Sequence, residues 1–155
     1  TSNVNKIEGR KRTKETDDNR KIDEGANINT SSDRNEECYT EVCLQLRNHD
    51  VSSQSFEIYM LNSVPIAGFQ CDFPGINITG SDGGLLKENG YQTSNSAARI
   101  LSFSMQGNLI PIGEGVLTTV YYTNPTTEVC MTEIIFAGST GVKLSYDDPD
   151  CMKLN

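Results

Sequence analysis

Five cysteines, Cys38, Cys43, Cys71, Cys130 and Cys151, carry the most definite chemistry in this chain. The intervals between them hold 4, 27, 58 and 20 residues, so no C-x-x-C pair exists to open a zinc site. Cysteines at the margins of an acidic, Asn- and Thr-rich chain fit disulfides in an oxidising, extracellular or cell-surface compartment. Cys130 and Cys151 flank the last expected hairpin and are the favoured pair. Cys71 alternates with Phe69 and Phe73 and reads as a small buried hydrophobe. An odd count leaves at least one thiol outside any intrachain set, and Cys38 is the candidate for a bond to another chain.

The remaining candidates for chemistry are weaker. His49, the one histidine, falls in the turn-like Asn48-His49-Asp50 and reads as a surface residue, not as the base of a triad. Asp147, Asp148 and Asp150 surround Pro149 in an acidic turn that offers oxygens to Ca²⁺, but the D-x-D-x-D-G loop with its closing Glu is absent. No metal or other cofactor is therefore expected. Gly113-Glu114-Gly115 leads into a strand and has no helix dipole to hold a phosphate. A glycosidase needs two carboxylates across a cleft, and acidic residues this numerous make a chance pair uninformative. Asn77-Ile78-Thr79 and Asn29-Thr30-Ser31 are glycosylation sequons. Carbohydrate binding would call for a flat aromatic row; there is no Trp, and Tyr59, Tyr91, Tyr121, Tyr122 and Tyr146 have no spacing that makes one. The chain is not expected to be an enzyme.

The elements that position these residues follow from composition and period. The chain has 155 residues with 13 basic and 21 acidic side chains, a net charge of −8, and a mean hydropathy of −0.46. That acidity argues against a nucleic-acid or anionic-membrane partner. No apolar run reaches the roughly 20 residues of a membrane helix. The average conceals two compositions. Residues 1–37 hold 8 basic and 9 acidic residues with five aliphatic side chains, too few to repay backbone ordering, and read as an extended or disordered arm. Residues 38–155 keep 5 basic and 12 acidic residues, so −7 of the charge belongs to the expected domain.

From Cys38 onward the hydrophobic period is two. Val42, Leu44 and Leu46 share one face; so do Phe56, Ile58 and Met60; so do Ala67, Phe69, Cys71 and Phe73. Leu101, Phe103 and Met105 are expected to form a further inward set. Val116–Tyr122, Glu133–Ala137 and Val142–Tyr146 complete the strands, and only 84–90 has room for a turn or two of helix. Short strands separated by Gly, Pro and Asn turns predict an antiparallel β-sandwich or barrel.

Against that background, Pro65-Ile66-Ala67-Gly68-Phe69-Gln70-Cys71-Asp72-Phe73 resembles the (G/V)-I-A-G-F-Q-F-D-(L/F) strand of cohesin-like domains. Ile100-Leu101-Ser102-Phe103-Ser104, followed by Gly113-Glu114-Gly115-Val116-Leu117-Thr118-Thr119-Val120, resembles a second family segment, in the same order. The likeness runs over about residues 40–150. It implies an all-β, nine-stranded jelly-roll sandwich and a non-catalytic, extracellular module that docks a dockerin-like partner. Gly68, Gln70 and Asp72 alternate with the inward Phe69, Cys71 and Phe73, so they are the expected partner-binding face. Phe73-Pro74-Gly75-Ile76 departs from the family's Tyr-Asp-Pro turn, and with it the match to a dockerin code. Two other functions remain open on the residues: a carbohydrate-binding module taking polysaccharide, and a structural subunit of a self-assembling layer, shell or fibre. In the last, identical copies would meet through the N-terminal arm. No membrane insertion is expected.

Overall fold

The computed structural model of the protein describes residues 37–123 and 125–154; residues 1–36 of the charged arm, with the sequon Asn29, lie outside the described residues. The strands are β1 (Val42–Asp50), β2 (Ser55–Asn62), β3 (Gly68–Asp72), β4 (Asn77–Asp82), β5 (Gln92–Asn95), β6 (Arg99–Phe103) and β7 (Gly113–Thr123). Four shorter ones follow: β8 (Glu128–Val129), β9 (Thr132–Ala137), β10 (Tyr146–Asp147) and β11 (Met152–Lys153). One helical turn, α1 (Gly84–Glu88), separates β4 from β5.

The strands form a five-stranded sheet, β10–β1–β2–β7–β4, and a four-stranded sheet, β9–β3–β6–β5, with β8 and β11 as a separate ribbon. Alternation explains the layers. Val42 and Leu44, Phe56, Ile58 and Met60, and Leu117, Val120 and Tyr122 turn inward from the first sheet. Phe69 and Cys71, Ile100, and Ile134 and Phe136 turn inward from the second. They meet in one core, where the Phe56 ring lies 5.2 Å from Phe73 and Phe69 lies 4.9 Å from Phe136. Each such burial stabilises by about 1.5–3 kcal/mol relative to an exposed side chain.

The sheets are not wholly antiparallel as expected. β10 runs parallel to β1, with Tyr146 beside Val42 and Asp147 beside Cys43. The single strand expected over Val142–Tyr146 is divided between the sheets. Lys143 bridges to Ala137 and the Leu144 N–H donates to Phe136 O at 2.8 Å, after which the chain crosses to β1. Glu41 fixes that crossing: its carboxylate accepts the Ser145 N–H at 2.9 Å, and its own N–H donates to Ser145 Oγ at 2.9 Å. α1 packs on β7, with Leu85 beside Gly115, and buries Leu86. Its first residue must be glycine, because Gly84 has φ +73° and a Cβ there would stand 2.5 Å from Leu117 O and 2.6 Å from Val116 O.

Two disulfides close the described chain near its ends, Cys38–Cys43 and Cys130–Cys151. Cys38 is thus corrected: its sulfur is bonded within its own chain, five residues away, and is not held for another. A short turn led by Thr40, whose hydroxyl donates to Val42 O at 2.7 Å, brings the two cysteines together. Cys130–Cys151 ties β8 to the segment before β11, beneath which Leu154 is buried. Cys71 is fully buried, and desolvation pushes its thiol pKa far up. Two disulfides in one small domain fit an oxidising compartment.

Candidate functional site

The outer face of the four-stranded sheet brings the expected residues together and adds others. Gly68, Gln70 and Asp72 lie on β3, the second strand of that sheet, with their neighbours Phe69 and Cys71 in the core. Across the ladders Gly68 sits between Ala137 and Phe103, Gln70 between Ile135 and Leu101, and Asp72 between Thr132 and Arg99. β5 places Gln92 beside Phe103 and Ser94 beside Leu101.

β6 contradicts the inward set expected for Leu101, Phe103 and Met105. Leu101 is 42% exposed, Phe103 44% and Met105 68%, while Ile100 and Ser102 are fully buried. The buried Ser102 hydroxyl is satisfied by Thr93 Oγ1 at 2.7 Å, which offsets its desolvation. Opposite Ser102 stands Phe69, already packed on Phe136, so a small residue suits that position. The outcome is a strand that hides a serine and shows water a leucine and a phenylalanine.

One end of this face is charged. Arg99 donates from Nε to Asp72 Oδ1 at 2.6 Å and from Nη2 to Asp72 Oδ2 at 3.0 Å, a bidentate pair. The Arg99 hydrogen bond, aided by its charge, lowers the Asp72 pKa, and the same bond raises that of Arg99. Glu133 adds its negative charge beside Arg99. It sits at φ +50° where the β9–β3 register shifts between Thr132 and Ile135, a bulge of the kind that re-aims a side chain. A carboxylate with a depressed folded pKa contributes stability above the ordinary aspartate value of about 4, and that contribution is lost as pH falls through the folded value. Asp72→Asn should therefore be less stable than wild type at pH 7, by a modest amount because both side chains are partly exposed. Urea unfolding at pH 7 and at about pH 3 should show the difference shrinking in acid; an equal difference at both would refute the assignment.

The opposite face is polar and self-engaged. The Arg47 guanidinium lies 3.5 Å over the Tyr59 ring. Burial, followed by the nearby Glu114 carboxylate, raises the Tyr59 pKa. Tyr91 and Tyr122 are core residues: the first donates to Ile66 O at 2.5 Å, and the second shares a 2.6 Å hydrogen bond with His49 Nε2. His49 is thereby corrected from a turn residue to a half-buried member of β1, stacked on Tyr122. Tyr121 and Tyr146 are partly exposed, on β7 and β10, with β1 and β2 between them; the register sets Tyr146 level with Gly113, at the other end of β7 from Tyr121, so the two make no common platform.

The other expected ligand residues remain apart from this face. Asp147, Asp148 and Asp150 are exposed and do not converge. Among the described residues the one grouping of three acidic, His or Cys ligand atoms within 4.8 Å is Glu128 with Cys130 and Cys151, whose sulfurs are bonded to each other. Asn77 opens β4, and its amide nitrogen donates to Thr123 Oγ1 at 3.1 Å. No described helix is long and apolar enough to cross a membrane.

No protein-family model matches the chain, and no curated protein matches it. The chain is similar to solved cohesin structures. One is a dockerin–cohesin complex, CaDoc0917 with CaCohA2, at 10% identity and a TM-score of 0.47, covering 74% of this chain and 99% of that one. Another is a non-cellulosomal cohesin from the hyperthermophilic archaeon Archaeoglobus fulgidus, at 12% identity and a TM-score of 0.44, covering 71% and 86%.

Proposed function

We propose that the protein is a non-catalytic docking module whose outer β9–β3–β6–β5 face binds a protein partner. The observation that carries this is the outward placement of Leu101 and Phe103, on a strand whose inward positions include a serine. Exposed apolar groups in a row, rimmed by Gln70, Gln92, Ser94 and the Asp72–Arg99 pair, have the anatomy of an interface: an apolar centre inside a polar border. The 65–73 segment resembles cohesin-like domains, which makes a dockerin-like module the partner class to test first. The disulfides support an extracellular setting.

The test is Leu101→Ser with Phe103→Ser, assayed by calorimetric titration against a panel of Ca²⁺-loaded dockerin modules. Two central anchors contribute enough that the double variant should bind at least roughly tenfold more weakly. Its unfolding free energy should stay near wild type, because both side chains are already half in water. A chelator should abolish wild-type binding by unloading the partner's EF-hands. Undiminished binding by the variant, or no binding by any dockerin in the panel, would defeat the proposal.

A further inference from the structure

The outer edge of β5 is open. β5 ends the four-stranded sheet, and all of Gln92–Asn95 is exposed. In an antiparallel ladder alternate residues turn their backbone N–H and C=O away from the neighbouring strand. Among the described residues, no backbone group from another element bonds to the outward row within Gln92–Asn95; β4 closes the edge only beyond it, where the Ile78 N–H donates to Ala97 O at 2.7 Å and the Asn95 side chain donates to Ile78 O at 3.2 Å. Proteins guard such edges with lysine, proline, bulges or inward charges. Asn89–Ala98 contains no charged residue and no proline, and the β5–β6 ladder runs from Gln92–Phe103 to Asn95–Ile100 without a bulge. Shortness is the guard that remains.

We infer that β5 is a self-pairing edge, on which a second copy of this chain lays its own β5 antiparallel about a two-fold axis. Charge selects the place, and symmetry the partner. Residues 38–155 carry −7, so two copies repel over most of their surfaces, and the uncharged Asn89–Ala98 border lets them approach. A strand paired antiparallel with itself satisfies two-fold symmetry without any second patch. Centred pairing sets Ser94 opposite Ser94 of the second copy and Thr93 opposite Asn95, with no like charges opposed. The product is a continuous eight-stranded sheet. Through Gln92 and Ser94 it joins the two Leu101–Phe103 faces side by side, so a bivalent partner would bind by avidity. The pairing uses the backbone edge of β5 and not the Leu101–Phe103 centre, and its test needs no docking partner, so it stands or falls independently of the function proposed for that face.

Sedimentation equilibrium of the full chain, with hydrogen exchange read at increasing protein concentration, tests it. The mass should rise towards twice that of the chain as concentration increases. Association should strengthen as salt is raised from about 20 to about 300 mM and the repulsion is screened. Amides of Gln92–Asn95 should gain protection in parallel. Ser94→Glu, which brings two carboxylates together at the axis, should weaken association at least roughly tenfold. Ser139→Glu, in an exposed turn, adds the same charge elsewhere and should leave it near wild type. A monomer at every concentration up to about 1 mM, equal weakening by both variants, or protection gained at Leu101–Met105 in place of Gln92–Asn95 overturns the inference.

Discussion

Phe56→Ala is expected to lower the unfolding free energy by about 3–5 kcal/mol, the usual range for removing a buried phenyl ring. Phe56 is fully buried on β2, the middle strand of its sheet, and meets Phe73 edge-on at 5.2 Å and Tyr122 at 5.9 Å. Its neighbours cannot easily collapse into the gap. Phe73 is held by its N–H to Ala98 O at 2.7 Å, and Tyr122 by its bond to His49, so much of the cavity should persist. Urea unfolding should show a lower midpoint with an unchanged slope. A loss below about 1 kcal/mol would mean that Phe56 does not join the two sheets.

Removing the second disulfide, by Cys130→Ala with Cys151→Ala, should cost about 3 kcal/mol on the chain-entropy model, because the bridge spans a separation of 21 residues. For a domain of this size that corresponds to a fall in Tm of roughly 12 °C, measurable by calorimetry. The ladder between β8 and β11 pairs only Glu128 with Lys153 and Val129 with Met152, too little to stand without the covalent tie. The loss should thus appear as early deprotection of that ribbon. Cys38–Cys43 closes a separation of five residues, for which the same relation gives about 2 kcal/mol, so its removal should be the milder of the two. The reverse order would show that the bridges act mainly through native-state geometry.

The strands with a clear period were legible from the residues. Val42–Leu44, Phe56–Met60 and Phe69–Phe73 each alternate with an unambiguous apolar face, and each buries that face. β6 was not legible. Arg99-Ile100-Leu101-Ser102-Phe103 can be set on either face, and the more hydrophobic choice puts Leu101 and Phe103 inside. What decides is the volume of the opposite strand, since Phe69 takes the space beside Ser102, and one sequence carries no account of that. β8, β10 and β11 have two residues each, too short for any period, and β10 owes its place to Glu41 and Ser145, 104 positions apart. The candidate face was half readable: Gly68, Gln70 and Asp72 follow from alternation on one strand. Arg99, Leu101 and Phe103 join them only through pairing that local pattern does not specify.

Cys71 has a consequence of another kind. With the four other cysteines in disulfides it is the one free thiol of the chain, and it is sealed between the sheets beside Phe69 and Phe73. A thiol reagent can reach it only when the sandwich parts, and only its deprotonated form reacts. The rate of its modification under native conditions is therefore a clock for core opening. When opening and closing are fast relative to labelling, that rate reports the equilibrium fraction of open molecules. The protein carries a single-site gauge of its own breathing, readable without adding any probe to its surface.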